Sequence, residues 1–170
     1  MKYLLLITLI IPSLCAFTEN LESFEAEFEQ HIIDENDERV VYKGKVTAQK
    51  PDRAYWSYTE PVEKEIFIVR QEVVIIEPDM EQAIVRTLQE DIDFFTILSH
   101  AKKIDENRYE ANYGSQLFEI SLNAGIIESI SYRDHFDNRI ELRFSSQRQN
   151  HPVPRETFLP NIPATFDIVR

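Results

Sequence analysis

The 170-residue chain has one cysteine and three glycines. A single thiol, Cys15, forms no disulfide within the chain and builds no cysteine-based zinc site. Three glycines do not make a phosphate-cradling loop, and no Gly-x-Ser-x-Gly stretch occurs. The four histidines, His31, His100, His135 and His151, are scattered and match no metal-ligand spacing. "DENDE" at 34–38 is the nearest approach to a calcium loop, but Arg39 stands where the sixth-position glycine belongs, so a hairpin turn is expected. No enzyme, metal or cofactor is called for by these residues. Basic residues are also scarce: 18 Lys and Arg face 30 Asp and Glu, a net charge of −12. Such a surface is a poor partner for nucleic acid or an anionic bilayer, and it also favours solubility.

Long apolar runs are missing too, with one exception. The chain starts MKYLLLITLIIPSLCA, with Lys2 ahead of an apolar run from Leu4 to Ile11, then Pro12 and small residues. This is the layout of a secretory signal peptide, and the run is too short for a stable anchor. Cleavage is expected after Ala16. Lipid attachment at Cys15 would need a small residue before it, and Leu14 is there instead. The expected domains are a signal peptide at 1–16 and a single functional domain at 17–170, with no cysteine and a net charge of −13.

What fills the mature chain is alternation. In "FEAEFEQHI", Phe24, Ala26, Phe28, Gln30 and Ile32 alternate with Glu25, Glu27, Glu29 and His31. Period two marks a half-buried strand with an acidic outer face. "VVYKGKVTAQKP" continues the pattern, as do "RAYWSYTE", "EIFIVR" and "EVVIIEPDMEQAIVRTL", the last broken by a Pro78-Asp79 turn. Only "EDIDFFTILSHAKK", 90–103, departs. Phe94, Ile97, Leu98 and Ala101 fall at helical spacing with acids first and lysines last, which predicts an amphipathic helix. Strands resume in "RYEANY", "QLFEISL", "IIESISYRD" and "NRIELRFSSQ"; the proline-punctuated tail "FLPNIPATFDIV" reads as irregular or an edge strand.

About ten short, mostly antiparallel strands with one inserted helix predict a mainly β fold: a single curved antiparallel sheet, closed or half-closed as a barrel. Several faces mix aromatic and small residues, as in Ala54-Trp56-Tyr58 and Val40-Tyr42-Gly44. These residues suit either an ordinary core or a lipid pocket under a helical lid, and composition does not separate the two.

Four ordered stretches point further: "FEAEFEQ", "KPDRAYWSYTEP", "IEPDMEQAIVRTL" and "FLPNIPATFDIV". Together they resemble the outer-membrane lipoprotein carrier family, LolA, over nearly the whole mature chain. The resemblance implies an incomplete β-barrel covered by helices around an apolar cavity. It implies a periplasmic carrier, monomeric and without cofactor. Its cargo would be acylated lipoproteins, taken from an inner-membrane ABC-type release complex and delivered to an outer-membrane receptor or to that membrane itself. Phe28, Tyr42, Val46, Ala54, Trp56 and Tyr58 would line the acyl-chain cavity, and Phe94, Phe95, Ile97 and Leu98 would form the lid. Lys50 stands where the family usually has a lid-latching arginine; a lysine gives a point charge instead of a planar fork of donors. Ala54 replaces a larger apolar residue, and Phe17–Ser23 leaves little room for the family's longer N-terminal helix. The same fold also serves a lipidated membrane receptor, and an envelope sensor or interaction module is a reading from another class.

Overall fold

The computed structural model describes residues 20–88 and 94–170. The expected signal peptide and the residues at 90–93 lie outside them. Twelve strands form one open sheet: β1 Ser23–Ile33, β2 Arg39–Gln49, β3 Arg53–Glu60, β4 Lys64–Val69, β5 Glu72–Glu77, β6 Gln82–Thr87, β7 Ala101–Lys103, β8 Arg108–Tyr113, β9 Gln116–Asn123, β10 Ile126–Arg133, β11 Arg139–Gln149 and β12 Asp167–Val169. The spatial order is β12-β6-β5-β4-β3-β2-β1-β11-β10-β9-β8-β7, so β1 and β11 join an N-terminal half to a C-terminal half. All pairings are antiparallel except β12 with β6. None of the described helices is long and apolar enough to cross a membrane.

The period-two pattern becomes the sheet's two faces. Phe24, Ala26 and Phe28 of β1 are buried on the concave side. Glu25, Glu27 and Glu29 point outward, and cross-strand cations meet two of them: Arg148 lies 2.8 Å from Glu25 and Lys45 3.7 Å from Glu27. "DENDE" is the β1–β2 turn, as expected. Asp34 Oδ1 accepts from the Asn36 and Glu38 amides at 2.8 and 2.9 Å, an Asx turn, and Asp37 takes φ 61°. The β10–β11 turn repeats this device with Asp134, Phe136 and Asn138.

Gly44 of β2 is required by a close approach. A Cβ there would meet the Ser57 carbonyl oxygen of β3, and the Phe28 ring at 2.9 Å. Bare backbone at Gly44 lets β3 and the Phe28 ring crowd onto β2, next to a register shift at Lys43/Gly44.

The structure corrects the sequence reading in three places. The described helix, α1, runs only Phe94–Ser99. Ala101, Lys102 and Lys103, expected to end it, form β7, where Ala101 pairs with Ala111. Twelve strands replace about ten. The outer face is also partly apolar: Phe67, Val74, Ile76 and Ala83 cluster there with Tyr55, and Ile162 and Phe166 of the tail cover them. The tail is irregular until β12, where it becomes an edge strand, as its prolines indicated. Mostly β with one open, curved sheet is thus observed; among the described residues α1 is the one α-helix, beside two 3₁₀ turns at Pro78–Met80 and Arg155–Phe158, the latter packed against β3 and β4.

Candidate functional site

The main core lies on the concave side and joins both halves of the sheet. Phe24, Ala26 and Phe28 of β1 meet Phe118 and Ile120 of β9, Ile130 of β10 and Phe144 of β11. α1 packs into the same cluster through Phe94, Phe95 and Leu98, each under 8% exposed. Phe94 stacks on Phe24 (ring centroids 4.8 Å) and meets Phe144 and Phe95 edge-on at 6.4 and 5.4 Å. Spacing of three and four residues puts Phe94, Ile97 and Leu98 on one helix face.

Under α1 the core is not filled. A cavity of ≈ 330 Å³ remains, lined by Ala54, Trp56 and Ile68 from one half and Phe118, Ile130, Leu142 and Phe144 from the other. Phe94 and Ile97 of α1 close over it; Gln116 and Tyr132 stand at its polar lip. The volume is at the lower end of the roughly 300–1,000 Å³ usual for ligand sites. A larger groove, ≈ 630 Å³, shares Gln116 and Tyr132 but is otherwise bounded largely by polar groups such as Glu119, Arg133, Asp134 and Arg139. Only the smaller space is apolar enough to hold a hydrocarbon chain.

The sequence-named residues divide between lining and wall. Ala54 and Trp56 face the cavity, as do Phe94 and Ile97 of the lid group. The Phe28 ring lies against Gly44, in edge-type contact with Trp56 at 5.2 Å and Tyr58 at 5.0 Å. Val46 is fully buried opposite Trp56. Tyr58 and Tyr42 lie farther along the wall, their rings 6.0 Å apart. Phe28, Val46, Tyr42 and Tyr58 therefore back or extend the cavity instead of bounding it. Phe95 and Leu98 anchor α1 in the core.

Sequence reading missed Ile68, Phe118, Ile130, Tyr132, Leu142 and Phe144. Alternation in "QLFEISL" and "NRIELRF" marked their strands as half-buried. Ile68 joins Trp56 through the β3–β4 pairing, opposite Ala54; for the other five, which face shared a cavity with Trp56 depends on the β1–β11 pairing, which local pattern does not encode.

Lys50 follows β2 and lies next to α1. Its Nζ is 6.0 Å from the centre of the Phe95 ring and 3.4 Å from Glu22 Oε1. Its backbone amide donates to the Glu22 carbonyl at 2.9 Å. One ammonium thus spans the strand end, the N-terminal segment and α1.

Burial pushes the Tyr58 phenol well above its usual range, and the phenols of Tyr132 and Tyr42 add to the effect. Tyr132 is likewise raised, by burial and then by Asp134. These hydroxyls stay protonated hydrogen-bonding groups at any physiological pH.

An open, curved antiparallel sheet around an apolar cavity defines the class of protein: a β half-barrel. A LolA superfamily protein from Nitrosomonas europaea has this fold, with a TM-score of 0.57 over 87% of this chain and 98% of that one at 12% identity. The family model for the outer membrane lipoprotein carrier protein LolA matches residues 19–116, and the chain belongs to that family. Similar relatives include the outer-membrane lipoprotein carrier proteins of Wolinella succinogenes (36% identical, covering 93% of this chain and 92% of that one) and Campylobacter jejuni (34%, 99% of each). That of Helicobacter pylori strain J99 is 33% identical over 89% of this chain and 82% of its own.

Proposed function

We propose that the chain is a periplasmic carrier that shields the acyl chains of lipoproteins between the inner and outer membranes. The observation that carries this is the ≈ 330 Å³ apolar cavity beneath α1, in a chain of the lipoprotein-carrier family. Burying a methylene stabilises the bound state by about 0.8 kcal/mol. Ten methylenes amount to ~8 kcal/mol, so a free acylated protein does not cross water unaided. A carrier must also let go, and a short helix over a partly preformed cavity meets both demands.

In this reading residues 1–16 are removed on export and 17–170 form the carrier domain. Ala54, Trp56 and their neighbours hold the acyl chains. Phe94, Phe95, Ile97 and Leu98 form a movable lid, and Lys50 latches it through Glu22 and Phe95. The cargo comes from an inner-membrane ABC-type release complex and goes to an outer-membrane receptor or to the membrane. The net charge of −13 on residues 17–170 keeps a monomeric shuttle from adhering to anionic bilayers on the way.

The test uses Trp56, the single tryptophan, as reporter. Adding a diacylated lipopeptide should shift its emission saturably, and the unacylated peptide should not. The same response to both peptides, or none to either, overturns the proposal. Lipid analysis of protein purified from the periplasm gives an independent check, in which co-purifying lipoproteins are expected.

A further inference from the structure

The wall of the cavity changes character along the strands. On β3 and β4 the concave cross-strand pairs run Ala54–Ile68, Trp56–Ile66, Tyr58–Lys64, from apolar to cationic. Lys64 Nζ lies 4.6 Å from the centre of the Tyr58 ring and 5.9 Å from that of Tyr42. Among the described residues no carboxylate pairs with it, in a chain where acids far outnumber bases. Beside it, the Tyr58 hydroxyl donates to Gln30 Oε1 at 3.0 Å, which leaves the Gln30 amide N–H₂ facing outward from that bond. Tyr132 brings a further phenol from the opposite half of the sheet.

These groups have donors to spare: three N–H of an ammonium, two of an amide, and the phenols of Tyr42 and Tyr132. An acyl chain on a lipoprotein is attached through an ester or amide carbonyl, which only accepts. The head of such a cargo must also sit where the cavity meets water. Tyr132 and Gln116 are that meeting point, since they border both the apolar cavity and the polar groove.

We propose that Lys64, Gln30, Tyr42 and Tyr132 form a head-group subsite that hydrogen-bonds the ester carbonyls of a diacylglyceryl-modified cysteine and so sets cargo orientation. This rests on the carrier reading. Chains enter tail-first toward Ala54, the ester linkages stop at the tyrosines, and the polypeptide leaves along the groove. Cation–π contact with Tyr58 and Tyr42 holds the ammonium in place without neutralising it. A neutral acceptor is thus bound by a cation that no carboxylate among the described residues has claimed.

The experiment compares a dipalmitoyl-ester lipopeptide with its diether analogue, which has the same chains but no ester carbonyls. Titrations follow Trp56 emission of the full mature chain. Wild type should bind the diester about tenfold more tightly, the effect of one to two net hydrogen bonds. In Lys64→Met and Tyr132→Phe together, diester affinity should fall to that of the diether, and Lys64→Arg alone should keep most of the preference. Equal binding of the two lipopeptides by wild type overturns the subsite and leaves the carrier intact, as does a preference that survives in the double variant. Failure of both lipopeptides to bind overturns the carrier reading and the subsite with it.

Discussion

Truncating Phe94 to alanine separates a lid from a core. Phe94 is 7% exposed and touches three aromatic rings, Phe24, Phe95 and Phe144. A phenylalanine buried this far removes roughly 150 Å² or more from water, about 4 kcal/mol at ~25 cal/mol/Å². Measured Phe→Ala changes in cores cost about 3–5 kcal/mol. If α1 opens separately from the sheet, this energy is lost from the closed lid and not from global folding. A loss of ~3 kcal/mol moves the closed–open balance by a factor of ~150. Amide hydrogen exchange at Phe94–Ser99 should therefore accelerate by about that factor, while exchange in β1 and β11 stays slow. Urea unfolding should shift far less than for Phe24→Ala, because Phe24 lies at the sheet's centre. Equal losses of global stability for the two variants, with unchanged exchange in α1, would refute the lid and make the helix part of one cooperative core.

Lys50→Leu should speed release of bound lipopeptide several-fold in a dilution assay, because the ammonium no longer joins Glu22 to the Phe95 ring; unaltered retention would dismiss the latch. Ala54→Phe should fill the cavity and lower lipopeptide affinity by at least tenfold by Trp56 titration, with the far-UV spectrum unchanged. Gly44→Ala should destabilise by about 1–3 kcal/mol in urea, since its methyl group meets the Ser57 carbonyl and the Phe28 ring. Arg143 and Arg108 hydrogen-bond Glu141 and Asp105 and hold both carboxyls below their usual values. Depressed folded-state values mean that their stabilisation is present above the unfolded values, near pH 4, and is lost as pH falls through the folded ones. Thermal midpoints should drop in that acid window, and the drop should shrink in Arg143→Gln.

Much of the fold was legible because period two is local. β1 shows this: three phenylalanine and alanine positions inward, three glutamates outward, and an Asx turn where "DENDE" stands. Helix length was not legible, because Ala101 fits either an α1 face or a strand, and pairing with Ala111 of β8 decides between them. The lysines at 102 and 103 suited a helix C-terminus equally well in sequence, but they are the exposed residues of that strand. In the site, Ala54 and Trp56 were identifiable as one face of one strand. Phe28 was placed on the right face but lies against Gly44, a three-dimensional fit that spacing does not reveal. The far wall, from Phe118 to Phe144, depends on a strand pair whose members are more than a hundred residues apart in the chain.

That strand pair also orders events as the chain is made. β1 is a central strand whose second neighbour is β11, so the N-terminal half is available long before its partner edge exists. Until Arg139–Gln149 arrives, β1 is an unpaired edge, open to any passing strand. Glu25, Glu27 and Glu29 then act as a guard of like charges that repels other copies of the same edge. When β11 docks, Arg148 meets Glu25, and part of the guard becomes part of the seam.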